Sequence, residues 1–233
     1  MHITDPTFWL AVAQIIAIDI LLGGDNAVVI ALACRRLPEE RRKKGIFWGV
    51  FGAVGLRVVL IFFALQLLAL PWLKIVGAAL LLWIGVKLLQ PEDDGGGHEI
   101  QASGNLLGAI KTIIVADAVM SLDNVVAVAG AARDDMTLVI FGILVSIPII
   151  VWGSTFVLKL MDRYPIVITF GAGLLGWIAG EMAYSDIVLQ EWVAPYPHYF
   201  KYAAAVVGAA MVVAVGLWLA ARGKSRADTL TNG

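Results

Sequence analysis

This sequence has very little with which to build a soft-metal site or a disulfide. Its 233 residues include one cysteine, Cys34, and three histidines, His2, His98 and His198. A single thiol forms neither an internal disulfide nor a thiolate cage. The histidines all fall in expected loops or ends, away from the apolar runs. Charge is scarce as well. Only 15% of residues are Asp, Glu, Lys or Arg and 60% are hydrophobic, against ~25% charged and ~45–50% apolar in a soluble domain. The charges are segregated rather than mixed, so the formal net charge of −1 says nothing useful about partners, and no nucleic acid is expected among them. No ATP-binding motif is present. The opening "MHITDPTFW" has neither a basic n-region nor a small-residue cleavage site and is not read as a signal peptide.

What remains is the composition of a polytopic membrane protein, with the lipid bilayer as its solvent. A spanning helix needs ~20 mostly apolar residues, and seven stretches qualify: 8–34, 45–70, 72–90, 105–132, 136–160, 164–183 and 199–221. Breakers divide them, among them "RRLPEERRKK", "LALPW" and the Gly-rich linker at 91–104. Lys and Arg favour the cytoplasmic side of a membrane. The first loop carries Arg35, Arg36, Arg41, Arg42, Lys43 and Lys44; the fifth carries Lys159 and Arg163; the tail carries Arg222, Lys224 and Arg226. The opposite side holds only Lys74, Arg133 and Lys201. Seven spans with the N-terminus outside and the C-terminus cytoplasmic satisfy this asymmetry. Trp9, Trp48, Trp72, Trp192 and Tyr199 fall near span ends, where aromatic belts form.

Acids interrupt two of the apolar runs. "DILLGGDNAVVIALA" begins at Asp19, and "DAVMSLDNVVAVAGA" begins at Asp117. The same D-x5-D-N skeleton stands twice inside membrane-length segments. Further matches extend it: Ile15-Ile16 with Ile113-Ile114, Gly77 with Gly171, and Trp83 with Trp177. The expected fold is therefore all-α and transmembrane, a single membrane domain over 1–233. Repeat one spans 8–90, repeat two spans 105–183, and an extra seventh helix spans 199–221. Three helices per unit is odd, so the second unit enters the membrane from the other side. That makes an inverted repeat, an architecture of secondary transporters with a site near the midplane.

An Asp near mid-bilayer costs at least ~2.5 kcal/mol on insertion scales, so such residues are functional candidates by default. The candidate ligands are Asp19, Asp25, Asn26, Asp117, Asp123 and Asn124. Carboxylate and amide oxygen suit Mn²⁺, Ca²⁺ or Mg²⁺. Met120 is a candidate soft ligand, which would favour Mn²⁺, with ordinary packing as the alternative. Residues six apart on an ideal helix point about 240° apart. A local unwinding at Gly23-Gly24 and at the matching Ser121 would turn both acids of a helix to one cavity and free backbone carbonyls. Arg57, expected about twelve residues into the second span, is too deep to snorkel comfortably and reads as a counter-charge. Four acids with one arginine do not persist empty and fully ionised; the vacant cluster either holds protons or pairs with Arg57. Lys87 and Glu181 occupy equivalent repeat positions near opposite faces, as gate residues or simple boundary charges. Ser146, Pro148, Ser154 and Thr155 mark the fifth span as a cavity wall.

The motifs "DILLGGDNAVVIALA", "ADAVMSLDNVVAVAG" and "GILVSIPIIVWGS" resemble the TerC family of integral membrane proteins, in its short form without appended soluble domains. The resemblance covers essentially the whole chain. It implies membership of the LysE-like transporter superfamily, with two three-helix repeats and a seventh helix. It also implies a bacterial inner-membrane location and metal-ion export, most often of Mn²⁺, or a link to tellurium resistance. The expectation is thus a non-enzymatic divalent-cation transporter, without prosthetic group, driven by ion gradients and with H⁺ as candidate counter-ion. Two alternatives stand beside it. One is a non-transporting membrane partner in metalation of exported enzymes or in tellurium resistance. The other is an intramembrane aspartyl protease, disfavoured because a shared-proton dyad needs two acids rather than a doubled pair.

Overall fold

The computed structural model describes residues 6–63, 66–67, 70–90, 106–131, 136–193 and 199–231, and these form helices without strands. The elements are α1 (Pro6–Cys34), α2 (Glu39–Phe62), α3 (Leu73–Leu89), α4 (Leu106–Ala131), α5 (Met136–Arg163), α6 (Ile166–Tyr184), α7 (Ile187–Val193) and α8 (Tyr199–Thr231). The linker at 91–104 lies outside the described residues. α2 begins at Glu39 rather than 45, because Pro38 fixes the entry and Glu39 and Glu40 in the first turn complement the helix dipole. It ends at Phe62, well short of 70. α8 runs on to Thr231 instead of stopping at 221. Among the described residues, four helices are long and apolar enough to cross a membrane: 39–62, 140–163, 166–184 and 199–222.

The surface agrees with a lipid environment. Leu107, Trp152, Ile166 and Phe170 are each more than 70% exposed, a distribution that marks an aggregation hazard in water and an ordinary outer face in hydrocarbon. Trp9, Trp72, Trp192 and Tyr199 are all more than half exposed near helix ends, and Trp48 is as exposed further inside α2, which begins at Glu39 rather than 45. The buried interior is built from Ala, Val, Leu, Ile and Met, with a few polar insertions.

Apart from α6 on α8, the most extensive contact, the strongest packing crosses between the two halves of the chain: α1 on α5, α2 on α4, and α3 on α6. α1 also packs on α4, α2 on α5, α3 on α4, and α1 on α6, while α8 lies against α6 and α3. Glycines set the closest approaches. A Cβ on Gly176, Gly180 or Gly208 would stand 2.1–2.4 Å from a carbonyl oxygen of the facing helix, so α6 and α8 touch backbone to backbone in the small-residue manner of membrane helices. An apolar groove of about 560 Å³ lies along the same two helices, lined by Phe170, Trp177 and Val213 among others. It contains no charged side chain and belongs to the lipid face.

Polar clamps fix the ends of α3. At its C-terminus, Arg35 Nη2 donates to Leu88 O at 3.0 Å, and Arg36 Nη2 donates to Lys87 O at 3.2 Å and to Gln90 O. At its N-terminus, where Trp72 adopts φ 67°, the carboxylate of Asp186 accepts the N–H groups of Trp72, Lys74 and Ile75 at 3.0–3.3 Å and that of Val188 at 2.9 Å. Burial raises such a carboxyl, but the donors of Val188, Ile75, Trp72 and Lys74 outweigh it and hold Asp186 below its ordinary pKa. Arg42 joins Asp162 at 2.7 Å and also donates to the carbonyls of Leu37 and Arg35. One end of the bundle thus gathers the C-termini of α1, α3 and α5 with the N-terminus of α2. The other gathers the N-terminus of α3 with the C-terminus of α6, where Glu181 meets Lys201 of α8 at 3.6 Å. The helices alternate in direction along the chain.

Candidate membrane ion site

Small residues on α2 bring α4 close. Gly49, Ala53 and Arg57 recur at four-residue spacing, as do Ile113, Asp117 and Ser121 on α4, so each trio lines one helix face. A Cβ on Gly49 would lie 2.5 Å from Ile113 Cδ1, and one on Gly52 would lie 2.5 Å from Ile114 Cδ1. Gly45 faces Leu106, Gly49 faces Ile113 and Arg57 faces Asp117. The contacts advance in the same sense, so α2 and α4 run parallel.

At the far end of this seam, Arg57 Nη2 donates to Asp117 Oδ1 at 2.6 Å. The two side chains are 4% and 7% exposed. Ser121 Oγ, one turn further along α4, donates to the other carboxylate oxygen at 3.3 Å. Asp117 sits near the middle of α4. Arg57 lies five residues before the end of α2, nearer the helix end than a span of 45–70 implies, and is buried there all the same. Asp25 is partly buried on α1, which packs against α4. The structure thus joins Arg57 and Asp117 from the two halves of the chain, with Asp25 on a third helix packed against α4.

Asn26 follows Asp25 and donates its backbone N–H to Asp25 Oδ1 at 3.0 Å. Its side chain is 2% exposed, and among the described residues neither Oδ1 nor Nδ2 has a hydrogen-bond partner. A buried amide left in this condition costs about 1–3 kcal/mol, which is a reason to look for a ligand. Met120 is buried in the apolar core. The side chains of Asp19, Asp123 and Asn124 lie outside the described residues. Among the described residues no three His, Cys, Asp or Glu side chains form a metal-holding group.

One expectation is corrected. Helices α1 and α4 run unbroken through Gly23-Gly24 and Ser121, so no local unwinding turns Asp19 and Asp25 to the same side. A helix interior tolerates glycine at a cost of about 1 kcal/mol, less than its backbone hydrogen bonds hold. The hydroxyls of Ser146, Ser154 and Thr155 donate to carbonyls of their own helix at 2.7–2.8 Å. Lys87 is exposed and lies 4.8 Å over the Trp83 ring, while Glu181 pairs with Lys201. Both gate candidates therefore sit at the periphery. Sequence reasoning named Ser121 only as a point of unwinding, not as a partner of Asp117, and passed over Asp186. The i+4 spacing from Asp117 is the signal that finds the first, and the position just before α7, typical of an N-cap, finds the second.

A multi-pass helical membrane protein with a desolvated ion pair in its interior is the class these features define. The chain matches the integral membrane protein TerC family over residues 4–224 and belongs to it. It is 42% identical to the uncharacterized membrane protein YjbE of Bacillus subtilis (strain 168), across 81% of this chain and 86% of that one. It is 28% identical to the uncharacterized membrane protein YceF of the same organism, across 78% and 73%. Against the inner membrane protein YgdQ of Escherichia coli (strain K12) identity is 24%, across 71% and 76%. No solved structure matches the chain.

Proposed function

We propose that this chain is a divalent metal-ion transporter, exporting Mn²⁺ foremost, with Ca²⁺ and Mg²⁺ as the other candidate cargoes. The observation that carries the reading is the buried Arg57–Asp117 pair, with Asp25 on the adjoining helix α1. An intramembrane acid held by an intramembrane cation marks an ion pathway more often than a structural tie. The orphaned amide of Asn26 supports it, since an amide oxygen is a ligand for hard divalent ions. Asp25, Asn26 and Asp117 would supply oxygen ligands, with Met120 as the soft ligand; Asp19, Asp123 and Asn124 would join them where α1 and α4 open during transport. Asp25 and Asp117 attract the ion, Ser121 orients the Asp117 carboxylate, and Arg57 balances charge when cargo is absent.

The architecture we propose is seven spans, with α1–α3 and α4–α6 as inverted halves and α8 as the extra helix. Helix packing supports it. Exchanging α1 with α4, α2 with α5 and α3 with α6 turns the α1–α5 contact into α4–α2 and the α3–α4 contact into α6–α1, and all four occur. Gly77 and Gly171 each pack against the acid-bearing helix of the other half, at Val119 and Val28. The N-terminus faces outward and the C-terminus the cytoplasm, in a bacterial inner membrane. Transport draws on ion gradients or potential, with protons as counter-ion, and no covalent chemistry is involved.

Proteoliposomes loaded with Mn²⁺ test this directly. Wild-type protein should move the ion, and Asp117→Asn should abolish the flux while cellular manganese under load rises. Unchanged flux in Asp117→Asn would remove the acids from the pathway. A wild-type protein that moves no divalent ion would return the chain to the role of a membrane partner in metalation.

A further inference from the structure

The Arg57–Asp117 pair has a feature that a merely structural tie does not require. The guanidinium holds Asp117 Oδ1, the more tightly bonded of the two carboxylate oxygens, at 2.6 Å against 3.3 Å for the Ser121 hydroxyl on Oδ2. Its own charge is permanent at any pH. Arg57 and Asp117 stand on helices from different halves of the chain, pressed together by the glycine seam at Gly45, Gly49 and Gly52. A cation that takes Asp117 as a ligand competes with Arg57 for the charge of one carboxylate, and coordination through Oδ1 displaces the guanidinium.

We propose that Arg57 is a built-in competitor for the transported cation, setting the metal concentration at which the site fills and helping to expel the ion on release. This rests on the transporter reading above. A tethered group competes at an effective concentration in the millimolar range or above, so it weakens apparent affinity for any ion that must displace it. The competition runs both ways. When the cation leaves, the guanidinium returns to Oδ1 and blocks rebinding. Such a site stays empty at ordinary ion levels and fills when the ion is in excess, as suits an exporter.

Competition and support predict effects of opposite sign. If Arg57 only holds Asp117 in place, its removal loosens the site and weakens binding. If Arg57 competes, its removal tightens binding. Equilibrium Mn²⁺ binding to purified full-length protein in lipid nanodiscs should therefore show half-saturation at least tenfold lower for Arg57→Gln than for wild type. In proteoliposomes the KM for Mn²⁺ and the maximal rate should fall together, because release loses its assistance. In Arg57→Ala, added guanidinium chloride in the millimolar range should displace Mn²⁺, and the same addition to wild type should not. Should the variants fail to fold, wild type decides alone. Labelled with ¹⁵N-arginine, it should lose one solvent-protected guanidinium signal on saturation with Ca²⁺, a diamagnetic stand-in for Mn²⁺. Weaker or unchanged binding in Arg57→Gln, or a protected signal that persists at saturation, overturns the proposal. A wild-type protein that binds no divalent ion overturns the transporter reading instead.

Discussion

Removing the charge of Asp117 should cost stability, by an amount the geometry bounds. The side chains of Arg57 and Asp117 are 4% and 7% exposed, so neither charge is relieved by water when its partner goes. Breaking a buried pair by neutralising one member costs about 3–5 kcal/mol. For a chain of this length each kcal/mol moves the unfolding midpoint by roughly 2–4 °C, so Asp117→Asn should melt about 6–20 °C below wild type. Arg57→Gln leaves the carboxylate stranded and should fall in the same range. The double variant, Asp117→Asn with Arg57→Gln, strands no charge and should be more stable than either single variant, with a coupling of at least ~2 kcal/mol. Thermal unfolding of all four proteins in one detergent and lipid mixture gives the cycle. Single-variant losses below ~1 kcal/mol, the range of an exposed ion pair, or additive losses, would refute the claim that this pair is desolvated.

Asp186 makes a second test. Replacing it with Ala removes the acceptor of four backbone N–H groups, and a loss of about 1.5–3 kcal/mol is expected for charge-assisted bonds. Its folded pKa is lowered, so its contribution is fully present above the ordinary carboxylate pKa and fades as pH falls from there through the lowered value. The gap in melting temperature between wild type and Asp186→Asn should close on acidification, and a gap that widens would contradict the assignment. A Cβ at Gly24 would meet nothing within 4 Å, so Gly24→Ala should raise helix stability by about 0.8–1 kcal/mol in the same melting assay. If that variant instead abolishes Mn²⁺ flux while melting higher, the helix must open there during transport. Gly180→Leu drives a side chain into the Ala204 carbonyl, 2.2 Å from the first added carbon, and should lower the yield of folded protein in the membrane several-fold, read by detergent-solubilised monodisperse fraction.

The helical class and the approximate position of each long helix were legible because an apolar run of membrane length has few other uses. The doubled acid motif was legible because carboxylates in such runs are rare. That Arg57 would find an acid followed from charge alone, but which of four acids it meets depends on how α2 and α4 pack, and the glycines at 45, 49 and 52 decide that. The early start of α2 at Glu39 was hidden because charged residues outside the bilayer are good helix formers too, so hydropathy marks where a helix enters lipid and not where it begins. Gly23-Gly24 suggested a break, but two glycines do not outweigh the hydrogen bonds of a 29-residue helix. The clamp at Asp186 lies 111–114 residues from the backbone groups it receives, and no local pattern encodes so distant a partner.

The pairing of α2 with α4 also has a consequence in time. Arg57 and Asp117 are 60 residues apart in the chain, and a ribosome adding about 5–20 residues per second needs roughly 3–12 s to deliver the acid after the arginine. For that interval a guanidinium waits without the carboxylate it will bury against, held by lipid headgroups, by water or by the insertion machinery. α1 likewise waits for α5 and α3 for α6. A nascent chain arrested between α3 and α4 should therefore remain crosslinkable to the insertion machinery through position 57, and should let go once residue 117 has entered the membrane.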